Sequence, residues 1–308
     1  MNRVRTRIER MMMAPARRPA RRMAGAPVVF THVPKAAGTA LVQAIETALA
    51  PRRPLVGFDD SLFGGFCDFA SLVPEERARI YLHDADYPAD ADFVGGHFCY
   101  RTTRRLYPDA AHLIVLREPI SRLMSQWLYW RAQSDDALEG LGSWGDVVRL
   151  ARRPLHDFLA QPKAACQTDN ACLRALLHGH PLVPPDDFIH PHVDAILLKA
   201  ARQALKQYVF ADILEDPAML RRLSGYLGVP LILPRVNETA PIPPALRTGL
   251  ADTFAPEAME SLKRLSRLDA RLWSEIARKR LTRVQVQALH ARIRLHTTAR
   301  HAALMAPA

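Results

Sequence analysis

The segment Val28-Val-Phe-Thr-His-Val-Pro-Lys-Ala-Ala-Gly-Thr-Ala-Leu41 strings together an apolar run, a proline turn, Lys35, the small residues Ala36, Ala37 and Gly38, and Thr39. A strand that passes through a small-residue loop into a helix N-terminus makes an anion cradle, because unpaired backbone N–H groups and the positive end of the helix dipole converge there. Lys35 adds a full positive charge and Thr39 a hydroxyl donor, so the chemistry expected of this loop is the binding of a phosphate or similar oxyanion. A Walker A loop needs its lysine after the second glycine, whereas Lys35 precedes Gly38. No G-x-G-x-x-G follows a strand, so the dinucleotide-binding fingerprint is missing too.

A second group of polar residues lies in His112-Leu-Ile-Val-Leu-Arg-Glu-Pro-Ile-Ser-Arg-Leu-Met-Ser-Gln-Trp127. An apolar strand ends at Arg117, Pro119 occupies the first helical turn, and Ser125 follows a little under two turns in. Both polar groups therefore face the crevice above the sheet, where open α/β folds bind ligands, and Arg117 is suited to gripping a phosphate bidentately. A third candidate is His97 in Gly95-Gly-His-Phe98. It follows a strand, two glycines before it permit close approach, and histidine is the side chain most easily tuned to accept a proton near neutral pH.

The order Pro-Lys-x-x-Gly-Thr at 34–39 resembles the 5′-phosphosulfate-binding loop of sulfotransferases, usually Pro-Lys-Thr/Ser-Gly-Gly-Thr-Ser. Arg117 at a strand end with Ser125 eight residues on resembles their 3′-phosphate element. Supporting matches are the Gly-His step of the heparan 2-O type at 96–97, the polar helix Asp169-Asn-Ala-Cys-Leu-Arg-Ala-Leu176, the loop Val236-Asn-Glu-Thr239 and the final helix Arg267-Leu-Asp-Ala-Arg-Leu-Trp273. Over about residues 27–280 the chain is thus similar to carbohydrate-type sulfotransferases that use 3′-phosphoadenosine 5′-phosphosulfate (PAPS). The resemblance implies an α/β, P-loop-like sulfotransferase fold with a central parallel sheet flanked by helices. It also implies in-line transfer of a sulfonate group from PAPS to a hydroxyl of a carbohydrate or related acceptor, with no metal. Under it Lys35 stabilises the bridging oxygen and the Ala37, Gly38 and Thr39 amides, with the Thr39 hydroxyl, hold the 5′-phosphate. Arg117 and Ser125 hold the 3′-phosphate, and His97 is the general base. Ala36 and Ala40 stand where the family has hydroxyl residues, and Ala37 where it has glycine, which predicts a negative φ at Ala37.

The elements that must position these groups follow from periodicity. Short apolar runs predict strands over 28–33, 92–96, 111–117 and 208–213. Amphipathic stretches between them predict helices over 38–50, 101–107, 119–133, 146–152, 166–177 and 191–207, the pattern of βαβ units and a parallel sheet. Residues 224–244, rich in Pro and Gly, read as loop. Met259, Leu262, Leu265, Leu268, Leu272 and Ile276 predict one amphipathic helix over about 256–280. The acceptor is expected between the loops 58–90 and 135–162.

With 308 residues, 49% hydrophobic, the chain suits one decorated α/β domain rather than a fibrous or largely disordered protein. The net charge of +11 sits in the ends. Residues 1–26 hold eight Arg and one Glu, and 277–308 hold seven Lys or Arg and no acid, so each end carries +7 and 27–276 is left with −3. A mildly acidic core argues against a nucleic-acid-binding domain. The expected organisation is a basic disordered extension (1–26), the catalytic domain (27–280) and a basic tail (281–308). These ends are free for peripheral contact with polyanions or anionic lipid, the stretch 281–305 as a surface helix. Cys67, Cys99, Cys166 and Cys172 are too few and too irregular for a disulfide scaffold or a zinc site and are expected as buried free thiols. His178, His180, His190 and His192 lie in proline-rich loop and make a weak metal candidate. Arg101, Arg104 and Arg105 are positioned to steer an anionic acceptor or to form a solvated basic face. No long uncharged apolar run and no signal-like start occur, and a cytoplasmic protein is expected. Two alternatives remain open: a nucleotide-dependent phosphotransferase on a similar cradle, and an inactive family member that binds polyanions through its basic ends.

Overall fold

The computed structural model describes residues 25–236 and 239–306. The expected N-terminal extension lies outside them up to residue 24. A six-stranded, wholly parallel sheet runs in the order β3-β2-β4-β1-β5-β6, with β1 Val28–Thr31, β2 Pro54–Asp59, β3 Ile80–Tyr81, β4 Phe93–His97, β5 Ala111–Leu116 and β6 Phe210–Ile213. The labelled helices are α1 Gly38–Leu49, α2 Tyr100–Leu106, α3 Pro119–Arg131, α4 Ala171–Leu177, α5 Asp194–Lys206, α6 Met219–Leu227, α7 Pro256–Leu265, α8 Arg267–Arg280 and α9 Arg283–Met305. Shorter helical turns fill the connections.

β1 and β5 are buried along their whole length, as parallel strands covered on both faces must be. The two-residue alternation of a strand sends Leu113 and Val115 to one face, against Leu41 and Ile45 of α1 and Leu223 of α6. Ile114 and Leu116 go to the other, against Leu197 of α5 and Leu272 and Trp273 of α8. α3 is buried on nearly every side, with Leu123, Met124, Trp127 and Leu128 in a separate cluster of helices and turns.

The expected strands are present within a few residues, but two more lie outside them, β2 mostly ahead of the expected loop 58–90 and β3 within it. β2 carries Pro54 and Gly57, which strand patterns disfavour, and β3 has two residues. The helix expected over 166–177 breaks at Asp169–Asn170, where Asn170 has φ 48°. The one expected over 256–280 breaks at Ser266 into α7 and α8. These two breaks cap each other. Asp269 accepts from the Cys172 and Leu173 amides at 2.9 Å each, and Asn170 Oδ1 accepts from the Leu268 and Asp269 amides at 2.8 and 3.2 Å. The loop read over 224–244 begins inside α6. Of the cysteines, Cys67 is exposed, against expectation, while the other three are buried and free.

The largest departure is the C-terminal segment. The stretch read as a surface tail forms α9, with Val286, Leu289 and Ile293 buried in the cluster of α5 and α8, and Met305 buried in the cluster of α3. His301 is buried and stacks over Trp127 at a centroid distance of 6.2 Å. Deleting 281–308 therefore strips apolar cover from two clusters, and the shortened protein is expected to melt well below the full chain or to remain insoluble. A truncation whose thermal unfolding matches the full chain would contradict this packing. Among the described residues no helix is long and apolar enough to cross a membrane.

Candidate active site

β1 lies between β4 and β5; from β1 the chain passes to β2 on one side of the sheet, and from the neighbouring β5 it passes to β6 on the other. This is the topological switch point at which open parallel sheets form a crevice beyond their strand C-termini. A cavity of about 830 Å³ opens there. Lys35, Ala37, Gly38, Thr39, Arg117 and Ser125 all line it, and so does His97. Every residue singled out from the sequence as catalytic or anion-binding is thus gathered on one space.

The loop after β1 is tightly wound. Lys35 and Ala37 take left-handed conformations, φ 62° and 57°, and the Ala36 amide donates to Val33 O at 3.1 Å. The negative φ expected at Ala37 is corrected: the turn needs a left-handed residue at the entry to α1, and alanine pays the Cβ strain that glycine would avoid. Ala37→Gly is accordingly expected to stabilise the fold by about 1 kcal/mol, raising Tm by about 2 °C; a lower Tm in thermal unfolding would refute the left-handed turn. Ala36 is buried beneath the loop and does not line the cavity. Gly38 is required for another reason, since a Cβ there would lie 1.7 Å from the His32 ring.

Three cations meet in the cavity. Lys35 Nζ sits 3.6 Å above the Tyr129 ring. Arg117 donates to Lys35 O at 2.9 Å and to Ser121 Oγ at 2.7 Å. Arg300, from α9, donates to Ser125 Oγ at 3.2 Å and to Thr239 Oγ1 at 2.8 Å. Among the described residues none of the three has a carboxylate ion-pair partner; Arg117 feels Glu215 and Glu118 only at longer range. Burial holds the Lys35 ammonium down at about 7, and repulsion from Arg300, Arg117 and Arg122 adds to the effect. Burial likewise lowers Arg117 to about 10. Unneutralised cations held this close in a partly dry space are an electrostatic cost that an anion removes.

His97 ends β4, and Gly96 before it has φ +153°, with so little room that a Cβ would lie 2.0 Å from Gly57 O. His97 Nδ1 is 2.7 Å from His32 O, and the two rings stack at 3.8 Å. A carbonyl only accepts, so Nδ1 carries the proton and Nε2 is left with its lone pair, the tautomer a general base needs. Burial pushes His97 down to about 4, so the ring is neutral at pH 7.

His32, Tyr129 and Arg300 join the site without having been read from the sequence. His32 sits one residue past β1 and Tyr129 one turn beyond Ser125, so both were reachable by extending the motifs. Arg300 carries no local signal, although Val286, Leu289 and Ile293 at spacings of three and four announce that α9 packs on the domain. The supporting motifs are framework. Arg174 pairs with Asp169 at 2.9 Å, Arg267 pairs with Asp194 at 2.7 Å, and Trp273 donates to Glu215 at 3.1 Å. In the loop at 236–239, Asn237 and Glu238 lie outside the described residues. Arg101 donates to Gly179 O, Arg104 to Pro108 O and Arg105 to Asp84, and none of them lines the cavity. His190 and His192 contact each other, and among the described residues no group of three or more His, Cys, Asp or Glu side chains is placed to hold a metal ion. No protein-family model matches the chain, and no curated protein matches it significantly.

Proposed function

We propose that this protein is a sulfotransferase of P-loop-like fold that moves a sulfonate group from PAPS to an acceptor hydroxyl. The observation that carries the reading is the convergence of Lys35, Arg117 and Arg300, without ion-pair partners among the described residues, on one cavity at the C-terminal ends of β1 and β5. A ligand with phosphate groups on the 3′ and 5′ oxygens of one ribose suits cations spread over two strand ends. The N-terminus of α1, with Ala37, Gly38 and Thr39 in the cavity wall, would hold the 5′-phosphate. Arg117 and Ser125 would hold the 3′-phosphate, and Arg300, already bonded to Ser125, would join them.

In the reaction the acceptor oxygen forms its bond to sulfur as the bond from sulfur to the bridging phosphate oxygen breaks. The hydroxyl proton passes to His97 Nε2, and the electron pair of the broken bond stays on the 5′-phosphate, where the Lys35 charge lowers its energy. Positioning supplies much of the remainder, as in phosphoryl transfer. The apolar packing of Tyr129 beneath Lys35 keeps that charge in a low-dielectric setting where it acts strongly.

Calorimetry with 3′-phosphoadenosine 5′-phosphate (PAP) and ADP, each with and without Mg²⁺, tests the reading. Metal-independent binding of PAP, clearly tighter than ADP, is expected. A Mg²⁺-dependent preference for ADP would instead establish the phosphotransferase, and binding of neither would leave the inactive polyanion binder. The affinity is also expected to depend on pH with a known sign. Lys35 is charged below about 7 and loses its proton above it, so PAP binding weakens as pH rises through 7. At pH 8 binding is accompanied by proton uptake, because the bound anion restores the charge. Proton release on binding, read from buffers of different ionisation enthalpy, would contradict this.

A further inference from the structure

We infer that the acceptor is an apolar hydroxyl compound, a phenol or an alcohol on a hydrophobic ring system, held in the part of the cavity lined by Phe58, Leu72, Val73, Ile80, Leu141 and Trp144, away from Arg117 and Arg300. The inference rests on the sulfonate-transfer reading above and narrows it away from the carbohydrate acceptor that the sequence resemblance implies.

The cavity follows α3. Ser125 lies beside Arg300 at one end, and Tyr129 and Trp130 come one turn later, about 6–8 Å along the axis at 1.5 Å per residue. Besides Lys35 and Tyr129 the wall includes the apolar side chains Phe58, Leu72, Val73, Ile80, Leu141 and Trp144. Phe58 stacks on His97 at 5.5 Å, so a flat apolar surface adjoins the proposed base. Several polar side chains of the wall are engaged within the protein. Glu76 pairs with Arg79 at 3.6 Å, Gln133 donates to Tyr129 O at 2.9 Å and Gln167 to Leu62 O at 2.5 Å. The Arg79 guanidinium itself lies over the Phe58 ring at 4.7 Å. Val56 and Val73, which also line the cavity, remain 40% and 38% exposed, an apolar rim that none of the described residues covers.

A glycan entering here would lose water from several hydroxyls and meet a wall in which apolar side chains outnumber the polar partners able to replace it. A ring compound with a single hydroxyl would bury its apolar surface against Val73, Ile80 and Leu141 and present the one polar atom to His97 Nε2. Arg101, Arg104 and Arg105 are outside the cavity and bonded elsewhere, and Arg79, which does line it, pairs with Glu76 and lies over Phe58.

The test titrates 2-naphthol, and separately a uronate disaccharide, into the protein saturated with PAP, followed by labelled-sulfonate transfer from PAPS to each. Saturable naphthol binding at least about tenfold tighter than the disaccharide is expected, with label passing to naphthol. Val73→Asp, a change at a half-exposed rim position, is expected to weaken naphthol about tenfold by placing a charge against the ring while PAP affinity stays within about twofold. No saturable naphthol binding to the PAP complex, a preference for the disaccharide, or indifference to Val73→Asp would each overturn the inference while leaving sulfonate transfer standing. Failure of PAP itself to bind would overturn the reading beneath it, and this inference with it.

Discussion

Replacing Lys35 by methionine is expected to lower the rate of sulfonate transfer by about 10²–10³-fold, the usual loss when one preorganised group that stabilises developing charge is removed. Methionine keeps most of the length of an unbranched stem and removes the charge together with its contact over the Tyr129 ring. The left-handed backbone at Lys35 is strained for either residue, so the comparison isolates the ammonium. Because the leaving phosphate gains charge as the bond to sulfur breaks, the loss falls mainly on kcat. PAP, which already carries that charge as product, should bind several-fold more weakly as well. A variant with normal kcat and only a raised KM for PAPS would make Lys35 a ground-state ligand and no more.

The second large effect is at His97. His97→Gln preserves a donor able to reach His32 O but cannot take a proton in the transition state, and a loss in kcat of about 10²–10⁴-fold is expected with PAP affinity unchanged. The pH profile gives a readout that a structural role would not move. His97 is held at about 4, so it accepts a proton only above that value, and the rate is lost as pH falls through it. Lys35, held at about 7 in the free protein, must keep its proton, so kcat/KM for PAPS is lost as pH rises through 7. Between the two lies a plateau from about 5 to 6.5. In His97→Gln the acid limb should vanish and the alkaline limb remain. Persistence of both limbs would remove His97 from the chemistry.

The site was legible where chemistry and local geometry coincide. Lys35, Gly38, Thr39, Arg117 and His97 sit at strand ends, and a strand followed by a turn and a helix announces itself over a dozen residues. Ser125 was placed by helical spacing together with the resemblance that sets a serine eight residues after the arginine. Ala37 was misread because a φ cannot be read from residue type when the surrounding turn overrides the Cβ penalty; glycine is the signal for a left-handed residue, and here the signal is absent. β2 and β3 were hidden by Pro54, Gly57 and the brevity of β3, since their pairing energy comes from neighbours distant in sequence. Arg300 lay further still out of reach. It is 175 residues from Ser125, and the positive charge around it read as a solvated end rather than as part of a site. Charge counts describe solvation and steering; only packing tells which cation is turned inward.

The most direct test of the account is the ratio of PAP to AMP affinity, measured calorimetrically for the wild type and for Arg117→Ala. The two ligands differ by the 3′-phosphate that Arg117, Ser125 and Arg300 are proposed to hold. A wild-type ratio of about 10² or more that collapses toward unity in Arg117→Ala, with AMP binding little changed, is the predicted result, since hydrogen bonds to charged groups contribute about 1.5–3 kcal/mol each. Equal affinity of the wild type for PAP and AMP would contradict the placement of the 3′-phosphate and, with it, the assignment of PAPS to this cavity.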